Sequence, residues 1–410
     1  MRRWSSGTLA AALCIFLAGN SSCNLRSEQP SASKILPDTA HTKRDTLPAA
    51  AKKPLAFDTL RTEFSMFLAG IKSPAGNYLD TLEENPEWKR YSHLFDSSWT
   101  NIEQNRLFPM QHWKAQELAE ANNTAYDVFY PFSGPDFLHV HTFFPHGKTY
   151  TFIGLEPPGD VPDLRTFDNK NLSSYLASVY NSLDDLFLRS YFITREMLKD
   201  MHGNEINGAL PIIYVFMART NCRIVSTRKI AVNTAGEIID YNPLTMSKDS
   251  VLRKNLGVSV SFIAPGSDSA ATVNYFAVNL ADDHLNYNTG FLRFLDNMDT
   301  VVTYVKSASY LMHYLTFTTI RNSVLKHSSW ILQDDSGIAF RFFNKKGWEI
   351  TLYGTYTSPI TIFRSQYERD LFEAYQKDTT IKPLPFTIGY TWNKNGGNLL
   401  LAKKRNTPNP

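Results

Sequence analysis

The sequence predicts an α/β protein, a mixed sheet with covering helices set behind a helical N-terminal section. Three observations carry this. Between residues 125 and 159 a β-rich run, a tight loop, an apolar helix and a second β-rich run follow one another. That is a βαβ unit, which implies parallel strands joined by a crossover. Leu172, Leu176, Val179, Leu183 and Leu186 then repeat at spacings of four and three, the signature of an amphipathic helix. Further on, residues 344–347 and 393–397, rich in Asn, Lys and Gly, separate apolar runs and read as hairpin loops.

Taken in order, residues 1–22 have the layout of an export signal. Arg2 and Arg3 give a positive start, residues 9–18 an apolar stretch, and residues 19–22 a small polar end just before Cys23. The apolar stretch is too short to span a bilayer as a mature helix. The segment resembles a bacterial lipoprotein signal. That resemblance implies cleavage before Cys23, a diacylglycerol thioether and palmitate-type acylation on it, and a lipid anchor in the cell envelope. Ser21 and Ser22 suit the positions before the cut, and Asn20 stands where an aliphatic residue is usual. The alternative is ordinary cleavage nearby and a secreted protein. Residues 23–54, rich in Ser, Pro, Ala, Thr and Lys, bury too little apolar surface to offset ordering and read as a disordered tether.

The helical section, 55–124, opens with a helix over 58–70, with Leu60, Phe64, Phe67 and Leu68 on one face. Residues 83–120 read as helix in pieces, interrupted at Pro86 and Pro109. The α/β domain, 125–410, follows. Its expected elements are strands at 125–131 and 150–155 around a helix at 137–144, and the Leu172 helix running to about residue 201. Strands come next at 210–217, 223–232, 258–263 and 272–280. A second long helix begins near Thr289, with Leu295, Met298, Val302, Val305, Ser309 and Met312 buried. Hairpins at 340–353 and 386–402 flank a helix over 364–377.

Apolar residues make up 43% of the 410 and charged ones 20%, enough for a core of normal size without disulfide or structural metal. The net charge of +3 is unclustered apart from Lys403, Lys404 and Arg405, read as a solvated tail. Nucleic acid is therefore not an expected partner, because phosphate binding needs a concentrated basic face. The 27 Phe and 20 Tyr fit either an aromatic core or an aromatic-lined groove. Cys222 follows an apolar run and reads as a buried thiol rather than a nucleophile.

Chemistry concentrates in one loop. Ser133, Gly134 and Asp136 follow the first strand, and Glu156 ends the second. A glycine there admits a ligand to the backbone, and the helix start favours an anion. An acid ending the second strand binds ribose hydroxyls in doubly wound folds. The unit thus resembles the nucleotide or S-adenosylmethionine site of Rossmann-type proteins. The simpler reading is a tight turn with Asp136 capping a helix and Glu156 in a surface turn. His139 and His141 share a face only on a strand; on the expected helix they diverge, and no metal site is expected. Asp299, Thr303, Lys306, Tyr310 and His313 form a stripe along the expected second long helix. It is either a solvated face or a cleft with Lys306 and His313 as acid and base. Asp334 and Asp335 are either paired functional carboxylates or a self-capped turn.

The motifs of serine hydrolases, zinc proteases, P-loops and EF-hands are absent. The three S-x-x-K matches, starting at Ser31, Ser226 and Ser323, lack the partner motifs of penicillin-binding proteins. The expected function is a non-catalytic binding or scaffolding protein of the envelope, without cofactor. Its partners are the membrane, through lipid on Cys23, and an envelope protein or small ligand. Two alternatives stand beside it. One is an envelope hydrolase or transferase built on the Ser133–Asp136 loop. The other is a nucleotide- or S-adenosylmethionine-type fold reused after export.

Overall fold

The structure, a computed structural model, describes residues 55–74, 76–189, 191, 206–391 and 397–405. The export signal, Cys23 and the tether lie outside them. The described chain is an α/β structure on one ten-stranded mixed sheet, in the order β4-β3-β5-β6-β2-β1-β7-β8-β10-β9.

Four helices lead: α1 (Thr59–Leu68), α2 (Leu79–Glu83), α3 (Pro86–Ile102) and α4 (Phe108–Glu117). Asp58 and Asn85 cap α1 and α3 with their side chains. The expected break at Pro86 is the step from α2 to α3, whereas at Pro109 the helix runs on. Each proline sits in the first turn of a helix, where its missing N–H costs nothing. A π-turn, Glu103–Leu107, links α3 to α4, widening the helix where Pro109 would otherwise lose its bond.

The βαβ unit forms as expected from β1 (Tyr126–Tyr130), α5 (Phe137–Phe143) and β2 (Gly147–Gly154), with β1 and β2 parallel. Next come α6 (Asn169–Arg189) and α7 (Leu210–Arg219). The expected continuation of α6 toward residue 201 falls, from residue 192, outside the described residues. The strand expected at 210–217 is α7 instead. Its residues are apolar on every side and nine of the ten are buried, so no period distinguishes helix from strand there. An antiparallel set follows: β3 (Arg223–Val232), the unanticipated β4 (Ile238–Asp240) and β5 (Leu256–Ile263). β6 (Ala271–Ala277) turns back to pair parallel with β2.

The long helix expected from Thr289 stops at Asp296 as α8 (Thr289–Asp296), and β7 (Val301–Val305) takes over, parallel to β1. All five β7 residues are buried, so the expected helical stripe was the two-faced burial of a central strand. After α9 (Thr318–His327), β8 (Ser328–Gln333) adds parallel to β7. The two expected hairpins do not form. β9 (Trp348–Gly354) and β10 (Asn398–Lys404) pair with each other, around α10 (Arg369–Lys377), which starts later than expected. Residues 340–342 and 389–391 are single 3-10 turns. Nor are the C-terminal cations a free tail: Lys403 and Lys404 end β10, and Arg405 donates to the Trp348 carbonyl.

The parallel strands β6-β2-β1-β7-β8, counted in chain order, run 3-2-1-4-5. This is the doubly wound order, with the topological switch at β1. Alternate side chains reach opposite faces. Val128, Tyr130, Tyr150, Phe152 and Tyr304 pack with α1 to α7. Phe129, Ile153, Val301 and Val305 pack with α8, α9 and α10. The aromatics therefore serve chiefly the core: seven Tyr and five Phe are the largest fully buried side chains.

Candidate functional site

β1 and β7 are neighbours at the switch point, and their carboxyl ends release the two chains that carry the most deeply buried charges. After β1, Phe132 (φ 59°) and Gly134 (φ 51°) turn the backbone back on itself. Asp136 then caps α5, accepting from the His139 N–H at 3.2 Å. After β7, Ser307, Ser309 and Tyr310 all have positive φ, between 51° and 56°. Four of the five described non-glycine residues in this region of φ thus lie at one edge of the sheet. Such strain persists only where the surroundings enforce it.

Across this edge Lys306 Nζ lies 2.8 Å from Asp136 Oδ2 and 3.0 Å from His139 Nδ1. His139 Nδ1 is also 2.9 Å from Asp136 Oδ1, and the Tyr130 hydroxyl donates to Asp136 Oδ2 at 3.2 Å. All three charged residues are buried. Burial raises the Asp136 pKa, but His139 and Lys306 together outweigh it and hold the carboxyl well below the usual range. Burial lowers both His139 and Lys306, against the pull of Asp136. His139 Nδ1 serves one partner at a time. It donates to Asp136 or accepts from Lys306, and a carboxylate with one ammonium and a neutral imidazole balances the charge.

Glu156 is buried, not in a surface turn. Its Oε2 accepts from the Leu155 N–H at 3.1 Å and lies 3.2 Å from the Tyr275 hydroxyl, which donates to the Glu156 carbonyl at 2.8 Å. A Cβ on Gly134 would sit 3.7 Å from this carboxylate. The Glu156 side chain therefore occupies the ground above the glycine. The Ser133 N–H and hydroxyl both turn to the Ile153 carbonyl. What remains between Tyr130, Ser133, Gly134, Asp136, Lys306 and Ser307 is a recess of about 40 Å³.

At the end of β8, Asp334 and Asp335 make the self-capped turn: the Ser336 N–H donates to Asp334 Oδ1 at 3.0 Å. The turn is buried, however, and wired inward. Ser307 N–H donates to Asp334 Oδ2 at 2.9 Å, and Tyr310 and Asn398 donate to Asp335. Burial pushes both carboxyls up, and the charge of Asp335 adds to the rise at Asp334. Glu368, which nothing in the sequence marked, is buried beside them, accepts from the Phe340 N–H, and is pushed by burial to about 8. His313 Nε2 faces it at 3.7 Å, and burial lowers that ring to about 4.

The fold thus brings Ser133, Gly134, Asp136, Glu156, Lys306, Asp334 and Asp335 to one edge, with His313 beside Glu368. Of the expected stripe, Thr303, Lys306, Tyr310 and His313 are buried on β7 and its outgoing loop, and Asp299 is exposed. His139 and His141 diverge: His141 Nδ1 meets the Tyr150 hydroxyl at 3.3 Å and its Nε2 lies 3.8 Å from Cys222 Sγ. Among the described residues no cluster of three His, Cys, Asp or Glu is placed to hold a metal. Burial pushes the Cys222 thiol to about 12. The fold and this edge define a doubly wound α/β protein with reversed strands at both sides of the sheet. No family model, curated protein or solved structure matches the chain.

Proposed function

We propose that the chain is a non-catalytic binding protein of the bacterial envelope, exported and anchored by lipid on Cys23, in which a cofactor-type fold has been reused. One observation carries this. At the switch point, where doubly wound folds hold a cofactor, Asp136, Lys306 and His139 satisfy one another and the Glu156 carboxylate stands over Gly134, leaving about 40 Å³. That space suits roughly three waters, whereas small-molecule and cofactor sites occupy about 300–1,000 Å³. The residues before Cys23 and the polar stretch after it support export and tethering. Two experiments test the reading. Palmitate labelling and membrane fractionation are expected for the wild type and lost in Cys23→Ser; a labelled or membrane-bound variant refutes the anchor. S-adenosylmethionine, NAD and ATP at about 1 mM are expected to leave the melting temperature unchanged; a saturable rise refutes the closed edge.

The enzyme reading is supported by a different observation, the raised carboxyls of Asp334, Asp335 and Glu368 beside Tyr310 and His313. Perturbed acids of this kind gather at catalytic sites. The 10 Å³ space at Asp334, Asp335 and Glu368 holds a single water, so a substrate would require the edge to open. Trapping of a small-molecule adduct at this edge favours that reading over the first.

A further inference from the structure

The opposite, amino-terminal edge of the parallel strands is open. A hollow of about 560 Å³ lies there, between α4, the turn into β2, the end of α7 and the loop joining β5 to β6. Its volume is that of a small-molecule site. Lys114 of α4 lines it, half-buried, and burial lowers its pKa. Among the described residues its side chain meets no carboxylate and no hydrogen-bond acceptor. An ammonium left partly desolvated without a partner is costly.

Among the described residues no carboxylate is paired with that charge. The carbonyls at the end of α7 are served by the N–H groups of Thr220, Asn221 and Cys222. At the end of α5 the Val140 carbonyl takes the Phe144 N–H and the Phe143 carbonyl the Asn122 amide. Arg219, also at the hollow, is engaged by Asp96 at 2.6 Å and attracted by Glu103. Burial holds His141 down at about 3, so it adds no positive charge at neutral pH. With Arg219 paired to Asp96, Lys114 and the exposed Lys148 face the hollow against the single carboxylate of Glu103, leaving one positive charge in excess, with Gln111 and Asn221 beside them.

We infer that this hollow binds a carboxylate-bearing sugar, its carboxylate on Lys114 and Lys148 and its hydroxyls on Gln111, Asn221 and Glu103. The volume is too large for a lone inorganic anion, and Glu103 repels a dense polyanion. Because Glu103 is already drawn to Arg219, it suits a hydroxyl donor better than a ligand ammonium. The inference rests on the binding-protein reading above, and depends neither on the Cys23 lipid nor on the closed carboxyl edge.

Titration calorimetry of the purified full chain tests it, with glucuronate, glucose, glucose 6-phosphate and alanyl-alanine as probes. Glucuronate is expected to bind at a Kd of about 1 mM or below, and at least about tenfold more tightly than the other three. Lys114→Met is expected to weaken glucuronate at least about tenfold, while melting no lower than the wild type because it removes an unpaired charge. No glucuronate heat up to about 10 mM, equal affinity in Lys114→Met, or preference for any other probe overturns the site. If glucuronate fails but the chain leaves its own compartment carrying another small molecule, the sugar assignment falls and the binding-protein reading stands. A chain that leaves its compartment bare and binds none of the probes removes both.

Discussion

Replacing Lys306 with methionine tests the closed edge at its centre. The ammonium is 2.8 Å from Asp136 Oδ2, and both side chains are buried. Methionine keeps most of the volume and removes the charge, leaving a buried carboxylate without its ammonium partner. Breaking a buried pair by deleting one partner costs about 3–5 kcal/mol. His139 supplies partial relief, because its Nδ1 is 2.9 Å from the same carboxylate. In the variant the ring becomes the counterion, so its folded pKa rises above the unfolded value of about 6.5. The stability this recovers is present below about pH 6.5 and is lost as pH rises through the new folded value. The deficit of Lys306→Met relative to wild type is therefore expected to be about 3–5 kcal/mol near pH 8 and clearly smaller near pH 5.5. Denaturant unfolding at the two pH values measures it. The double variant Asp136→Asn with Lys306→Met is expected to recover part of the loss. A deficit under about 1 kcal/mol near pH 8, or one that does not shrink on acidification, would refute the reasoning.

Three further outcomes follow from the same geometry. Glu368 has a folded pKa of about 8, raised from 4.5 by burial, so its contribution is full below its unfolded value and is lost as pH rises through about 8. The melting temperature is expected to fall between about pH 4.5 and pH 8, and Glu368→Gln, which still accepts from the Phe340 N–H, to flatten that fall. Gly134→Ala meets only an ordinary contact 3.7 Å away but keeps a φ of 51°, and should cost about 1–2 kcal/mol. Gly154→Ala should cost more, about 3 kcal/mol or above, because its Cβ would lie 2.4 Å from the Tyr275 hydroxyl and 2.6 Å from Glu156; the order of the two in denaturant unfolding checks this. Cys222 is buried with its thiol pushed to about 12, so iodoacetamide is expected to spare it in the native chain and to modify it after denaturation, read by mass.

The βαβ unit was legible because each of its boundaries has a local cause: Asp136 caps the helix, Gly134 makes the turn, and Phe152 and Ile153 alternate across the sheet. The errors fall where burial is two-sided. α7 is apolar but for Arg219 at its end and β7 but for Thr303, both are buried on every side, and only tertiary pairing makes one a helix and the other a strand. The hairpins failed because strong turn signals at 344–347 and 393–397 were each followed by a true strand whose partner lay far along the chain. The candidate residues were legible as types. Their convergence was not, since Asp136 and Lys306 are 170 positions apart and meet only through the strand order. Glu368 carries no local signal: it precedes a helix without capping it.

Native mass spectrometry of the full chain, purified from the compartment it reaches in a bacterial host, tests the central claim that the carboxyl edge is closed by its own charges. The account predicts that no nucleotide or S-adenosylmethionine is bound, and that adding either produces no saturable adduct. A nucleotide-sized mass that disappears in a folded Gly134→Trp variant would contradict it, and would place a working cofactor site above Asp136 and Lys306.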